Sequence, residues 1–134
     1  MGTVDLVPSA SGYRLSGTLQ GLPAGVHGIH LHMVGVCDAP EFTSAGGHLN
    51  PAGRKHGALN PAGAHLGDLP NITASADGLA QLNVELPGSR TDLDRDLFDH
   101  DGTALVAHAI ADDYLTDPSG NSGSRVACGV LKRG

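Results

Sequence analysis

The sequence predicts an all-β domain, on three observations. Short segments alternate apolar with polar side chains, and Gly, Pro, Ser and Asp interrupt them at close intervals. No window of about 11 residues carries a helical repeat. Strands are expected at Val4–Val7, Tyr13–Leu19, Val26–His32, Ile72–Ala76, Ala80–Leu86, Thr103–Ala109 and Val126–Leu131. Alternation is clearest in the second, where Tyr13, Leu15 and Leu19 share one face of the pleat. Ser9-Ala10-Ser11-Gly12 and Asp77-Gly78 read as hairpin turns, the latter a favoured turn dipeptide. Between the fifth and sixth expected strands, Arg90–Leu97 has room for a short helical turn.

Composition narrows the possibilities. The 134 residues carry 8 Lys and Arg against 14 Asp and Glu, a formal net charge of -6. That balance lacks the clustered cations that nucleic-acid phosphates require, so no nucleic-acid partner is expected. No apolar run approaches the ~18 residues of a membrane span, so no membrane partner is expected either. There are 20 Gly and 8 Pro, while aromatic residues make up 3% of the chain, so aliphatic side chains must build the core. The length suits one loop-rich domain, residues 1–134, better than two. The N-terminal Met1-Gly2-Thr3-Val4-Asp5 does not read as a secretory signal.

Two long segments, Val34–Asn71 and Asp112–Ser124, break the strand rhythm, and loops of such length in a compact domain are usually functional or disordered. Asn50-Pro51-Ala52-Gly53 recurs as Asn60-Pro61-Ala62-Gly63, which reads as two similar turns. Asn71-Ile72-Thr73 fits a glycosylation triplet, but such triplets arise by chance and this one carries little weight.

Six of the 8 histidines fall between positions 27 and 65. His30-Leu31-His32 sits at a strand end, where residues i and i+2 point to one side roughly 7 Å apart, close enough to converge on one cation. His48, His56 and His65 follow in the Gly-rich loop, with Asp68 three residues beyond. His108 stands among apolar neighbours in a later strand. Any one of these has an ordinary structural reading, but together they offer more ligands than one four-coordinate ion needs, which suggests two sites. Imidazole suits zinc and copper; tetrahedral coordination favours zinc, tetragonal nitrogen coordination Cu(II).

Cys37 and Cys128 are the only cysteines. They are either buried thiols or a bridge, and the bridge is favoured because the long first loop needs an anchor. A bridge closing about 90 residues would contribute up to ~4–5 kcal/mol in the loop-entropy account and would place the protein in an oxidising compartment, periplasmic or extracellular.

Four stretches resemble the copper/zinc superoxide dismutase family, most closely its bacterial members: Gly21–His32, Ala45–Pro51, His65–Asn71 and Gly120–Val130. They occur in family order and extend over nearly the whole chain. The resemblance implies copper held by His30, His32, His48 and His108, and zinc held by His48, His56, His65 and Asp68, with His48 bridging the two. Asp112 matches a carboxylate linking a copper-side to a zinc-side histidine. His27 matches a structural brace, Arg125 the guanidinium that docks superoxide, and Cys37 with Cys128 the family's disulfide. His100 matches nothing and reads as a surface residue. The implied activity is superoxide disproportionation by copper cycling, with Arg125 and His48 as catalytic groups.

The same resemblance implies a Greek-key β-barrel or sandwich of eight strands. Seven are counted, and Thr3–Val7 aligns with the family's second strand, so the first is expected to be lacking. Its omission would leave the second and last strands as edges open to a homo-oligomeric partner. Flanking cations for steering the substrate are scarce, Arg54 and Lys55 being the nearest in sequence. A non-catalytic copper/zinc-binding domain on the same scaffold is the alternative reading; it would be expected to lose copper ligands or Arg125, and both are present. A mononuclear zinc hydrolase is disfavoured because Asp68, the available base, is taken as a ligand.

Overall fold

The structure, a computed structural model, describes residues 2–10, 12–38, 41–50, 53–57, 59–86, 88–98, 102–116 and 120–131; His100 therefore lies outside the described residues. Its elements are β1 (Gly2–Pro8), β2 (Tyr13–Leu19), β3 (Gly25–His27), β4 (Ile29–His32), β5 (Ile72–Ala74), β6 (Ala80–Glu85), α1 (Arg90–Leu97), β7 (Ala104–His108) and β8 (Arg125–Val130), with one 3-10 turn at Thr43–Ala45. The strands form an antiparallel sheet β1-β2-β6, a ribbon β3-β5 and an antiparallel sheet β4-β7-β8. β2 pairs with β6 and β4 with β7, so each pairing skips intervening strands, as in a Greek key.

The hairpins close where the turn residues stand. The Ser9 N–H donates to the Gly12 carbonyl at 2.9 Å, and the Gly78 N–H to the Ser75 carbonyl at 2.9 Å. The two Asn-Pro-Ala-Gly segments share one closing bond, with Gly53 N–H donating to Asn50 O at 3.2 Å and Gly63 N–H to Asn60 O at 2.9 Å.

Val26–His32 is two strands, not one. Gly28 breaks it: β3 joins β5, while β4 crosses to pair with β7. At the break, Gly28 N–H donates to Ile110 O at 2.9 Å and Gly28 O accepts from His108 N–H at 2.8 Å. A Cβ there would lie 3.1 Å from Ser122 Cβ and 3.2 Å from Asp112 Cβ, so a side chain at the crossing would force these neighbours to give by a few tenths of an ångström. Counted this way the described residues form eight strand segments. Among the described residues β1 pairs only with β2 and β8 only with β7, leaving both as edges.

Arg90–Leu97 is a true α-helix, too short to register as a periodic window. Ser89 Oγ accepts from Asp92 N–H at 3.2 Å, capping the first turn, and Leu93 and Leu97, four apart, turn to the interior. The core is aliphatic, as the scarcity of aromatics requires: Leu15, Ile29, Leu31, Leu82, Leu86, Leu93 and Leu97 are fully buried. Because β2 and β6 side chains share this cluster with those of β4 and β7, the two three-stranded sheets pack face to face. A smaller cluster of Ala45, Ala104 and Val106, backed by Cys37 and Cys128, lies apart from it. Cys37 and Cys128 are joined in a disulfide, which pins the first long loop to β8.

Leu15, with no exposed surface, sits mid-strand in the larger cluster. Leu15→Ala is expected to lower unfolding free energy by about 2–5 kcal/mol, read as a reduced denaturant midpoint with unchanged slope. A shift below ~1 kcal/mol would contradict this account of the core.

Candidate metal centre

β4 sorts its side chains by pleat. Ile29 and Leu31 enter the large core, so His30 and His32 project to the other face. Their cross-strand neighbours on that face are the small side chains Val106 and Ala104, which leave room for two rings. The first long loop returns alongside this strand: Leu49 N–H donates to Leu31 O at 2.8 Å, and Leu31 N–H to Gly67 O at 2.9 Å. Bridges His32–His48 and His30–Asp68 result, setting loop ligands beside strand ligands. Gly67 makes this approach possible, since a Cβ there would stand 2.3 Å from Leu31 O. His108 ends β7, where a bulge between Ala107 and His108 re-aims it.

Two groups of donor atoms follow, His30, His32, His48 and His108 in one and His30, His48, His56 and Asp68 in the other, the atoms of each lying within 4.8 Å of one another. In the first, His30, His32, His48 and His108 converge, and His30 Nδ1 lies 2.9 Å from His108 Nε2. Metal–nitrogen bonds of about 2.0–2.1 Å at right angles put neighbouring ligands ~2.9 Å apart. In the second, Asp68 Oδ1 lies 3.0 Å from His48 Nδ1, 2.8 Å from His56 Nδ1 and 3.3 Å from His65 Nδ1, and the His48 and His65 Nδ1 atoms are 3.2 Å apart. Tetrahedral ligands at the same bond length would be ~3.3 Å apart. His30 also comes within 4.8 Å of this second group, but its Nε2 is engaged by Asp112 at 2.7 Å. His65 stands beside this group, its Nδ1 3.3 Å from Asp68 Oδ1.

His48 belongs to both groups. Its Nδ1 faces Asp68, while its buried Nε2 has no hydrogen-bond partner among the described residues; buried His32 Nε2 is in the same condition. Buried polar atoms without partners are costly, and two such atoms beside lone-pair nitrogens of neighbouring rings suit a cation. The donor set therefore fits copper in the all-nitrogen cluster and zinc in the cluster with a carboxylate.

The outer nitrogens are held in turn. His32 Nδ1–H donates to Gly46 O at 2.8 Å, leaving Nε2 as the lone-pair atom. Asp112 accepts from His30 Nε2–H at 2.7 Å and from His56 Nε2–H at 2.8 Å, so one carboxylate joins the two clusters. Gly120 stands against this carboxylate; a Cβ there would lie 1.8 Å from Asp112 Oδ1. The His27 ring spans the His108 carbonyl at 2.7 Å and the Pro23 carbonyl at 2.6 Å, tying β3 to β7. Arg125 Nη1 donates to Phe42 O at 2.8 Å, a carbonyl presented by a left-handed residue with φ 58°. Arg54 and Lys55 are exposed. Asn50 brackets the Arg54 backbone with hydrogen bonds of 2.7 and 2.9 Å.

A family model described as copper/zinc superoxide dismutase matches residues 1–131. The chain belongs to the copper/zinc superoxide dismutase family. It is 42% identical over 135 residues to superoxide dismutase 1 of Aquifex aeolicus, covering 98% of this chain and 80% of that one. It is 42% identical over 139 residues to the Caulobacter vibrioides enzyme, covering 98% and 78%. Among solved structures it is similar to a superoxide dismutase-like protein from Bacillus subtilis, with TM-score 0.87, 39% identity and coverage of 98% of this chain and 89% of that chain. The Brucella abortus copper/zinc superoxide dismutase matches with TM-score 0.76 and 31% identity over 98% and 88%.

In this copper/zinc superoxide dismutase family member the sequence reading did not anticipate the supports behind Asp112, nor Phe42. Gly120 and Asn71 stand inside the matching stretches, and the one spacing rule that marks Asn71, the glycosylation triplet, points away from this role. Tyr114 and Phe42 carried no signal at all, since one acts through a hydroxyl and main-chain N–H and the other through a carbonyl.

The titrating groups respond to burial. Desolvation pushes His32 and His108 down to about 3, opposed by the Gly46 and Gly123 carbonyls and assisted by neighbouring imidazoles and Arg125. It pushes His48 down to about 4 despite Asp68. Burial favours the neutral form of Asp112, but hydrogen bonds from His30, His56 and Tyr114 prevail and bring it to about 2. Asp68 is likewise held below the carboxylate range, where His48 and the N–H groups of Gly57 and His65 outweigh burial. Desolvation also lowers Arg125 from its ordinary value.

The unfolded chain binds protons on these histidines near pH 6.5, whereas the folded chain resists them to about 3–4. Unfolding therefore takes up protons in that window, and stability rises with pH across it. The metal-free, disulfide-intact protein is expected to lose stability as pH falls below about 6.5, with Asp68 and Asp112 extending the loss below the unfolded carboxylate pKa near 3.8. Thermal unfolding followed between pH 7.5 and 4.5 checks this; a flat midpoint contradicts it.

Proposed function

We propose that this protein is a superoxide dismutase, converting two superoxide anions and two protons into dioxygen and hydrogen peroxide. In this reading His30, His32, His48 and His108 hold copper, and His48, His56, His65 and Asp68 hold zinc. The reading is carried by one observation: His48 is a member of both donor groups, with its Nδ1 3.0 Å from Asp68 Oδ1 and its buried Nε2 without a hydrogen-bond partner among the described residues. Bound copper would supply one-electron redox capacity, and zinc would supply a redox-inert anchor for His48 and the loop.

The chain's own groups do the remaining work. Arg125 is cationic at any working pH, and its guanidinium, fixed by Phe42, is suited to docking a small anion. His48 Nε2 is the ring atom at which a proton can be held for peroxide formation. Asp112 orients His30 and His56 by fixing their Nε2–H bonds. His27 holds the backbone carrying His108. The disulfide supports a periplasmic or secreted location, where such bonds persist. The single-neighbour edges of β1 and β8 support a homo-oligomer formed by strand pairing, which light scattering after size exclusion tests.

A non-catalytic copper/zinc-binding domain on this scaffold is the competing reading. Metal analysis paired with superoxide decay separates the two. His108→Ala is expected to lose copper and reduce turnover at least ~100-fold. Arg125→Ala is expected to keep its metal content and lose on the order of 10-fold in kcat/KM. Full activity in His108→Ala, or copper absent from the reconstituted wild type, overturns the enzyme reading. A loss in Arg125→Ala that salt does not diminish would show that its charge does not act on an anion in solution.

A further inference from the structure

We infer that Asn71, assisted by Tyr114, is a positioning residue that sets the Asp112 carboxylate against His30 and His56. Asn71 is the last residue of the first long loop, directly before β5, and so is braced by the ribbon. Its amide group spans the Asp112 main chain: Nδ2–H donates to Asp112 O at 2.9 Å and Oδ1 accepts from Asp112 N–H at 2.9 Å. The Asn71 N–H donates to Tyr114 Oη at 2.8 Å, and the Tyr114 N–H donates to Asp112 Oδ1 at 2.7 Å. Four hydrogen bonds thus link Asn71, Tyr114 and Asp112 in one network. Tyr114 joins it with φ at 63°, a left-handed conformation unfavourable to a bulky side chain unless its surroundings hold it.

The network leaves Asp112 little freedom. Its main chain is fixed through both N–H and carbonyl, one carboxylate oxygen is fixed by Tyr114, and Gly120 closes on the same oxygen. A carboxylate so placed reaches His30 Nε2 at 2.7 Å and His56 Nε2 at 2.8 Å at the same time. A carboxylate moved by about 1 Å could not keep both contacts, now 2.7 and 2.8 Å, within hydrogen-bond range. The asparagine that reads in sequence as a glycosylation triplet is therefore committed, through both amide atoms, to the link between the clusters. Serine or alanine could not span both main-chain groups of Asp112, because neither carries a donor and an acceptor on two separate atoms as the amide does.

The inference rests on the reading of His30 and His56 as copper and zinc ligands. The test uses protein loaded with copper and zinc. Zinc release into excess chelator and the copper electron paramagnetic resonance spectrum are compared for wild type, Asn71→Ala, Tyr114→Phe, Asp112→Ala and the Asn71→Ala/Asp112→Ala pair. Asn71→Ala is expected to speed zinc release about 10-fold and to move the copper spectrum toward that of Asp112→Ala. Tyr114→Phe, which removes one acceptor and preserves the ring, is expected to shift both readouts in the same direction by about 3-fold or less. In the Asp112→Ala background, Asn71→Ala should add less than about twofold, since its route to the metals is gone.

Wild-type release and spectrum in Asn71→Ala would overturn the inference, as would effects that multiply fully in the double variant. If Asn71→Ala does not fold, Tyr114→Phe with its own Asp112→Ala cycle decides the question on the same two readouts. Asp112→Ala releasing zinc at the wild-type rate would also overturn the inference, whereas a wild type that fails to hold both metals would overturn the ligand reading beneath it.

Discussion

An imidazole ring can turn one nitrogen's lone pair toward an ion only if its other nitrogen is satisfied elsewhere, and much of this molecule is arranged around that requirement. His30 and His56 give their outer N–H to Asp112, and His32 gives its own to Gly46 O. His48 is the exception, because both of its nitrogens turn inward. It sits in the first long loop and its bridge to His32 fixes it beside β4, so the loop must be ordered before the two clusters can exist. Gly46 and Gly67 lie in that loop, which is why its glycines are structural necessities of the site: one presents a carbonyl, the other permits contact with Leu31.

The energetics run against such an assembly without cations. Burial drives His32, His48 and His108 toward neutrality, which removes favourable charge pairing while leaving polar atoms to be satisfied. The two carboxylates stay ionised only because each collects several hydrogen bonds, Asp68 from Gly57 and His65 and Asp112 from His30, His56 and Tyr114. What keeps the loops in place is therefore a polar network plus one disulfide, laid over an aliphatic core that lies on the opposite face of β4. Core and site share that strand, alternate residues serving each, so neither can slip by one residue without destroying the other.

That alternation also explains which parts were legible in the sequence. His30-Leu31-His32 announces itself because a period of two is visible in a single strand, and His48, His56, His65 and Asp68 stand out because four such residues rarely crowd a Gly-rich loop by accident. The strand positions of Tyr13–Leu19 and Ala80–Leu86 followed from the same pattern and agree with β2 and β6 within a residue. The break at Gly28 was hidden because both halves read as strand and only the third dimension shows them in different sheets. The helix at Arg90–Leu97 spans two turns, so its Leu93–Leu97 pair falls below any periodicity test. Asn71, Tyr114 and Phe42 were missed for a different reason: each acts wholly or partly through main-chain groups, and a main-chain hydrogen bond leaves no trace in residue type.

The net charge of -6 poses the remaining physical question, since an anionic substrate is repelled by the chain as a whole. Repulsion between exposed charges is screened beyond a Debye length of about 8 Å at physiological ionic strength, whereas a partly buried charge acts at short range with less screening. Arg125 meets that description: desolvation already lowers its pKa, and its charge contributes to the depression of His32 and His108. It stands three residues from Cys128 on β8, and its guanidinium is held by Phe42 O in the loop that the same disulfide anchors through Cys37. Strand and loop are thus cross-linked on either side of the cation, which restricts the long side chain that would otherwise spend rotamer entropy on each encounter. A fixed positive group beside the all-histidine cluster can therefore oppose an unfavourable overall charge, because the overall charge fades over distances at which Arg125 still acts.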